Sequence, residues 1–175
     1  MLTVNSILIY GSNGICKVED IRTEQLGKDK REYYILRPIY DPRSILYVPT
    51  DNELLMKKIR KVLSPKEIYG LIHIMPEKET VWIKDDRERN EKYKAVLEEG
   101  DREEIIKIIK TLYVRKEELA ASGRKLRSTD EAIMQRAEAM LYDEFALVLN
   151  IKREDVLPFI LDQIDIEEKR EWAKN

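Results

Sequence analysis

The sequence predicts an α+β protein, with a small β-barrel in residues 1–52 and an all-α helical domain in residues 53–175. Three observations carry that expectation. Residues 4–49 contain short runs rich in β-branched and aromatic residues, each bounded by turn formers. Beyond about Asp51 the apolar residues recur at helical spacing, with Ser, Asp, Pro and Gly where helices start and stop. The chain has 175 residues and is 43% hydrophobic, enough to give each of two small domains a core.

The strands follow in order. Ser6 to Tyr10 is a β-branched run that ends at Gly11-Ser12-Asn13-Gly14, residues that accept positive φ in a tight turn. Ile15 to Thr23 resumes as a strand, with Cys16 and Val18 on one face and Lys17 and Glu19 on the other. Gly27 to Lys30 is a second turn. Glu32 to Tyr40 is a third strand, and its Pro38 predicts an edge or a bend. Asp41-Pro42-Arg43 turns the chain into a fourth strand, Ser44 to Val48, which Pro49 closes. Four short strands joined by hairpin turns predict a barrel of the SH3 or Tudor type.

The helices follow. Asp51 or Asn52 caps a helix from about Glu53. Ser64-Pro65-Lys66-Glu67 predicts a helix start with a capping box and proline in the first turn, and that helix runs to about Met75. Pro76 to Thr80 is a loop. Arg87 to Glu98 is helical with Tyr93, Val96 and Leu97 inward; Gly100 stops it and Asp101 caps the next. Ile105, Ile108, Ile109 and Leu112 form a stripe on a helix from Arg102 to about Ala120. Ser122-Gly123 breaks it, and Ser128 with Glu131 predicts another capping box ahead of Ile133, Ala137, Met140, Leu141, Phe145 and Leu149. A last helix from Lys152 to Ile164 is interrupted near Pro158, and the final eleven residues are expected to fray.

Charge is dense but balanced, with 32 basic and 34 acidic residues, which argues against coating nucleic acid by bulk attraction. Its distribution is uneven. From Ile105 to Arg127 there are seven basic and two acidic residues, and from Ser128 to Asn175 six basic and twelve acidic. The single cysteine permits no disulfide within the chain and fits a reducing compartment. With no secretory leader pattern and no apolar run near the roughly 20 residues of a membrane span, a cytoplasmic protein with no membrane partner is expected.

Catalytic chemistry finds little support. One histidine and one cysteine do not make a zinc site without many carboxylates. His73, in Leu71-Ile72-His73-Ile74-Met75, reads as a partly buried structural residue, and Cys16 as a small core residue. The glycine turn lacks the Gly-Lys-Ser/Thr of a phosphate loop. Asp85 and Asp86 sit where a helix dipole favours acids. No catalytic residue, metal or cofactor is expected. Two features invite another reading. Trp82, followed by Lys84, Arg87 and Arg89, is either a plug in the core or a wedge for DNA with cations to hold phosphates. The run from Lys107 to Arg127 is either a solvated face or a DNA contact.

The order and spacing of several short motifs resemble the CarD family of bacterial transcription regulators, whose barrel also occurs in transcription-repair coupling factors. In the first part these are Tyr10 with Gly14, Glu32-Tyr33-Tyr34-Ile35-Leu36, and Val48-Pro49. In the second they are Tyr93-Lys94-Ala95-Val96-Leu97 with Gly100-Asp101, Leu112-Tyr113 with Arg115-Lys116, Leu126 with Ser128 and Glu131, and Ala137, Leu141 and Glu144-Phe145-Ala146. The resemblance spans roughly residues 3–150. It implies that the barrel binds the β subunit of RNA polymerase through its last strand, at Ile45, Leu46 and Tyr47 with Arg43. It implies that the helical domain reaches promoter DNA at the upstream edge of the melted region, without sequence specificity, and stabilises the open complex. The DNA-facing candidates are Trp82, Lys84, Arg87, Arg89 and Lys92, then Lys107, Lys110, Arg115, Arg124 and Lys125. Tethering to polymerase replaces intrinsic DNA affinity, so bulk positive charge is not needed.

Two departures stand out. Gly11 and Asn13 occupy places where the family's first turn carries a Tyr-Pro and a His. Counting back from Gly100-Asp101 or from Tyr93 places the family's wedge tryptophan at Asp86 or Arg89 rather than Trp82. Trp82 acts from a shifted loop, or DNA contact falls to Arg87, Arg89 and Lys92. The alternative class is a protein–protein adaptor that binds polymerase or another partner and never touches DNA.

Overall fold

In the computed structural model, which describes residues 1–80 and 82–164, the N-terminal runs form an antiparallel sheet. It has five strands where the sequence predicts four: β1 (Ile7–Tyr10), β2 (Ile15–Leu26), β3 (Asp29–Pro38), β4 (Leu46–Pro49) and β5 (Ile59–Lys61), in the order β4-β3-β2-β1-β5. The glycine turn between β1 and β2 is a short 3-10 turn at Gly11–Asn13, followed by Gly14 at φ 73°. Cys16 and Val18 face the core as expected. An irregularity in the β2–β3 register between Val18 and Asp20 then inserts one residue, so that Ile21 rather than Asp20 meets the core.

The sheet is not closed into a barrel. β4 and β5 remain edges, and no pairing joins them among the described residues. The chain between them forms a single helical turn, α1 (Glu53–Met56), capped by the Asn52 side chain accepting from the Leu55 N–H. Leu55 and Met56 pack on the core of Leu8, Tyr10, Cys16, Val18, Tyr34, Leu36 and Val48, so helix rather than strand covers that face. β3 is an internal strand, and Pro38 is tolerated because it is the last residue of β3, beyond the β4 pairing at Tyr33–Leu36. At the other end, Glu24–Leu26 and Asp29–Arg31 pair only with each other, leaving a two-stranded ribbon with two open edges.

Cys16 is fully buried, and burial pushes its thiol up to about 11. The reactive thiolate is therefore scarce at neutral pH. Maleimide labelling of the native protein is expected to be slow and to become fast only when denaturant unfolds the sheet. Fast native labelling would mean that the core opens readily.

The two compact units are Met1–Val62 and the chain from Leu63 onward. The boundary expected at 52/53 thus lies ten residues later, because β5 returns to pair with β1 (Ile9 opposite Arg60) and belongs to the sheet. The second unit contains α2 (Pro65–Ile74), α3 (Asp86–Glu99), α4 (Arg102–Ala121), α5 (Ser128–Leu149) and a helical segment at 156–164. The Ser64–Glu67 capping box forms, Gly100 ends α3 in the left-handed region at φ 76°, and Asp101 caps α4 through its carboxylate. The second capping box does not form. Ser128 is the first residue of α5, Arg127 is the N-cap, and no side chain caps the end. Pro158 does not interrupt the last helix, because it lies in the first turn, where a missing N–H costs nothing. The fraying expected for the final eleven residues falls outside the described residues.

Ile68, Ile72, Tyr93, Leu97, Ile105, Ile108, Leu112, Ala137, Leu141 and Phe145 form the helical core, with Ile106 inward and Ile109 at its margin. Each large side chain buried there contributes about 2 kcal/mol. His73 is exposed rather than partly buried: Ile68 and Ile72, four residues apart, take the inward face of α2. No helix among the described residues is long and apolar enough to cross a membrane.

Candidate polymerase and nucleic-acid interfaces

On β4 alternation separates two sets of side chains. Val48 is buried and Leu46 packs on the sheet core, whereas Ile45 and Tyr47 are 43% and 44% exposed. Of the expected contact residues, Arg43, Ile45 and Tyr47 are available at the surface, and Leu46 is largely committed to the core. β4 pairs with β3 on one side only, so its other edge presents unpaired backbone groups. The Tyr47 ring is held by an edge-to-face contact with Tyr33, centroids 6.2 Å apart at 79°. An edge strand with a fixed aromatic beside it can add a strand from a partner.

In the helical unit Trp82 is half-buried against the core. Its ring lies between two guanidinium groups, with Cζ of Arg89 4.2 Å and Cζ of Arg115 5.0 Å from the centroid. The core plug is the reading this packing favours, since a wedge needs a free indole. Arg89 leaves the set of DNA-facing candidates altogether. It is 1% exposed, and its Nε and Nη2 donate to the two oxygens of Asp130 at 2.9 and 2.7 Å. Its remaining donors reach the Ile83 carbonyl and Asp86, each at 2.8 Å. The register of α3 explains this: Arg89, Tyr93 and Leu97 are spaced by four and share the buried face.

Lys110 is also withdrawn. Its ammonium donates to the carbonyls of Met75, Pro76 and Lys78 at 3.1, 3.0 and 2.7 Å, satisfying acceptors where the chain leaves α2. Arg115 is held by Trp82 and by Glu118 at 3.3 Å, and its Nε is buried without a hydrogen bond. Lys107 pairs with Glu104 at 2.7 Å. Lys84, Arg87, Lys92, Arg124 and Lys125 are exposed, with Arg87 bonded to Glu91 at 3.1 Å and Arg124 to the Ser122 hydroxyl at 3.3 Å.

An ion pair between Asp86 and Arg127 brings two basic segments together. It ties the start of α3, beside Lys84 and Arg87, to the α4–α5 loop that carries Arg124 and Lys125. Bonding to Arg89, reinforced by Arg127, holds the Asp86 carboxyl below the usual carboxylate range. A depressed carboxyl contributes its links above its unfolded pKa and loses them as pH falls through the folded one, so the tie persists at neutral pH.

A second acid, Glu144, is buried as well as Asp130. Glu144 on α5 is 2% exposed and accepts from Arg102 Nη2 and Nε at 2.6 and 2.9 Å, and from the Leu63 N–H at 2.8 Å. It fixes the first residue of the helical unit. Among the described residues no cluster of His, Cys, Asp and Glu could hold a metal ion.

Comparison with known proteins agrees with this two-part layout. The family model for the CarD-like/TRCF RID domain matches residues 2–63. The model for the CarD C-terminal domain matches residues 70–160. None of the curated proteins compared with the chain matches it. The first match ends within a residue of the end of the sheet unit, and the second runs from within α2 into the segment at 156–164. CarD-family domains are regulatory and interaction modules, and they imply a transcription factor that interacts with RNA polymerase. Because both matches fall in order and together cover most of the sequence, the chain belongs to the CarD family.

Proposed function

We propose that the protein binds the β subunit of RNA polymerase through the free edge of β4, and that its helical unit then contacts promoter DNA at the upstream edge of the melted region, stabilising the open complex. The observation that carries the reading is the exposed edge of β4, with Ile45 and Tyr47 outward while Val48 faces the core. The DNA half rests on the convergence of Lys84, Arg87, Arg124 and Lys125 around the Asp86–Arg127 pair. In this form the contact is to phosphates, and Trp82 supports it from beneath by packing rather than by insertion.

A second reading, an adaptor that binds polymerase without touching DNA, has one observation in its favour. The helical unit carries twenty-one basic and twenty-six acidic residues by sequence, whereas the sheet unit carries eleven and eight. Two full-length variants separate the readings. Tyr47→Ala with Ile45→Ala is expected to weaken polymerase binding by about tenfold or more, as loss of interface anchors does. Charge reversal at Lys84, Arg87, Arg124 and Lys125 is expected to leave polymerase affinity unchanged and to shorten open-complex lifetime at a promoter limited by melting, with a shallower salt dependence. An unchanged lifetime with intact polymerase binding would establish the adaptor.

A further inference from the structure

A pocket of about 220 Å3 lies between the chain ahead of α3 and the facing sides of α3 and α4. It has room for about seven waters at ~30 Å3 each, the size of a small metabolite rather than a nucleotide. Its apolar wall is Ile83, Val96 and Ile108. Tyr93 lines it and is 5% exposed, yet its buried hydroxyl makes no hydrogen bond of normal geometry with any described residue. The Thr111 hydroxyl is close enough to interact with it, but the pair falls short of hydrogen-bond geometry. A buried hydroxyl left in this state costs stability, and few native structures keep one without a use.

The charges at the mouth decide what would fit. Lys107 and Glu104 already neutralise each other at 2.7 Å. Lys92 and Glu79 are both exposed, and neither has an ion-pair or hydrogen-bond partner among the described residues. The mouth therefore offers one uncommitted cation and one uncommitted anion over an apolar wall.

We propose that this pocket binds a small zwitterion with an apolar body, of the apolar α-amino-acid class. Its carboxylate meets the Lys92 ammonium and accepts from the Tyr93 hydroxyl, its ammonium meets Glu79, and its side chain lies on Ile83, Val96 and Ile108. Opposite charges on one small ligand satisfy both rim groups at once, which a simple anion or amine does not.

The test is a calorimetric titration of the full chain with phenylalanine, phenethylamine and 3-phenylpropionate, with the methyl signals of Ile83 and Ile108 followed by NMR. It contains neither polymerase nor DNA, so its outcome is independent of the function proposed above. The amino acid is expected to bind saturably and shift both methyl signals, with each single-charge analogue about tenfold weaker or worse. Lys92→Gln and Glu79→Gln, both at exposed positions, are expected to weaken binding by a similar factor. Tyr93→Phe is expected to weaken binding while raising the melting temperature of the free protein, a pairing that a purely structural tyrosine would not give. Absence of saturable binding at millimolar ligand would overturn the proposal. So would an analogue that binds as tightly as the amino acid, or affinity unchanged in Lys92→Gln and Glu79→Gln.

Discussion

Arg89→Ala is expected to destabilise the helical unit by about 3–5 kcal/mol, the usual cost of removing one member of a buried ion pair. The total stability of a domain is roughly 5–15 kcal/mol, so the variant lies near the edge of folding. The cost has three sources. Asp130 is left buried with a charge and no guanidinium, having lost two bonds of 2.9 and 2.7 Å. The Ile83 carbonyl loses its donor at 2.8 Å. The Trp82 ring loses one of the two cations that flank it. Equilibrium unfolding in urea measures the difference. Arg89→Lys should recover only part of the loss, since an ammonium cannot bond both Asp130 oxygens in the same planar fork. The pair Arg89→Leu with Asp130→Leu should be much milder than the single alanine, because no charge is then stranded. A loss below about 1 kcal/mol for Arg89→Ala would mean that water reaches the site and that the pair is not buried in solution.

Glu144→Ala is expected to cost about 3 kcal/mol, through the lost acceptor of the Leu63 N–H and the lost carboxylate partner of Arg102. Arg102 loses both of its bonds to the carboxylate, and the part-buried Leu63 N–H loses its acceptor. Arg102 keeps partial access to water, with a side chain 19% exposed, so the penalty should fall below that of Arg89→Ala. The effect also has a location. With Leu63 released, the chain around Val62–Ser64 should become the first site of cleavage under limited proteolysis, while urea unfolding reports the stability loss. Glu144→Gln keeps acceptor capacity and should sit between the two. Equal cleavage patterns in Glu144→Ala and the parent would show that the junction is held by other contacts.

Much of the architecture is legible in the sequence because its determinants are local. The Ser64–Glu67 box, the Gly100 stop, the Asp101 cap and the stripe on α4 each need only neighbours within a turn or two. What was missed depends on distant partners. β5 is three residues in the run Lys57-Lys58-Ile59-Arg60-Lys61, whose charges carry no alternation, and only pairing with β1 makes it a strand. Barrel closure is not legible, because hairpin turns report that strands neighbour one another but not whether the two edges meet. Arg89 is a surface cation by residue type, yet its spacing to Tyr93 and Leu97 marks the inward face. Its partner, Asp130, lies 41 residues away, which no local pattern reveals. Lys110 likewise meets carbonyls 32 to 35 residues earlier in the chain. Of the fourteen residues the sequence offers as contacts, those at the surface lie at or just before β4 (Arg43, Ile45, Tyr47), ahead of and along α3 (Lys84, Arg87, Lys92) and in the α4–α5 loop (Arg124, Lys125). Those withdrawn are Leu46 and Trp82, which pack on the two cores, and Arg89, Lys110 and Arg115, whose charges are taken up by Asp130, by backbone carbonyls and by Glu118.

The ribbon at the far end of β2 and β3 marks where this chain can be lengthened at least cost. Its outer strands, Glu24–Leu26 and Asp29–Arg31, pair in the sheet only with each other, and its tip at Gly27 and Lys28 is exposed. Added residues there displace no third strand, and the closure entropy of a longer tip grows only with the logarithm of its length. An epitope or a fluorophore-binding loop inserted between Gly27 and Lys28 would ride on the sheet unit while β1, β4 and β5 keep their register. The same length added at the turn after β1 would have to break the bond from the Gly11 N–H to the Lys58 carbonyl.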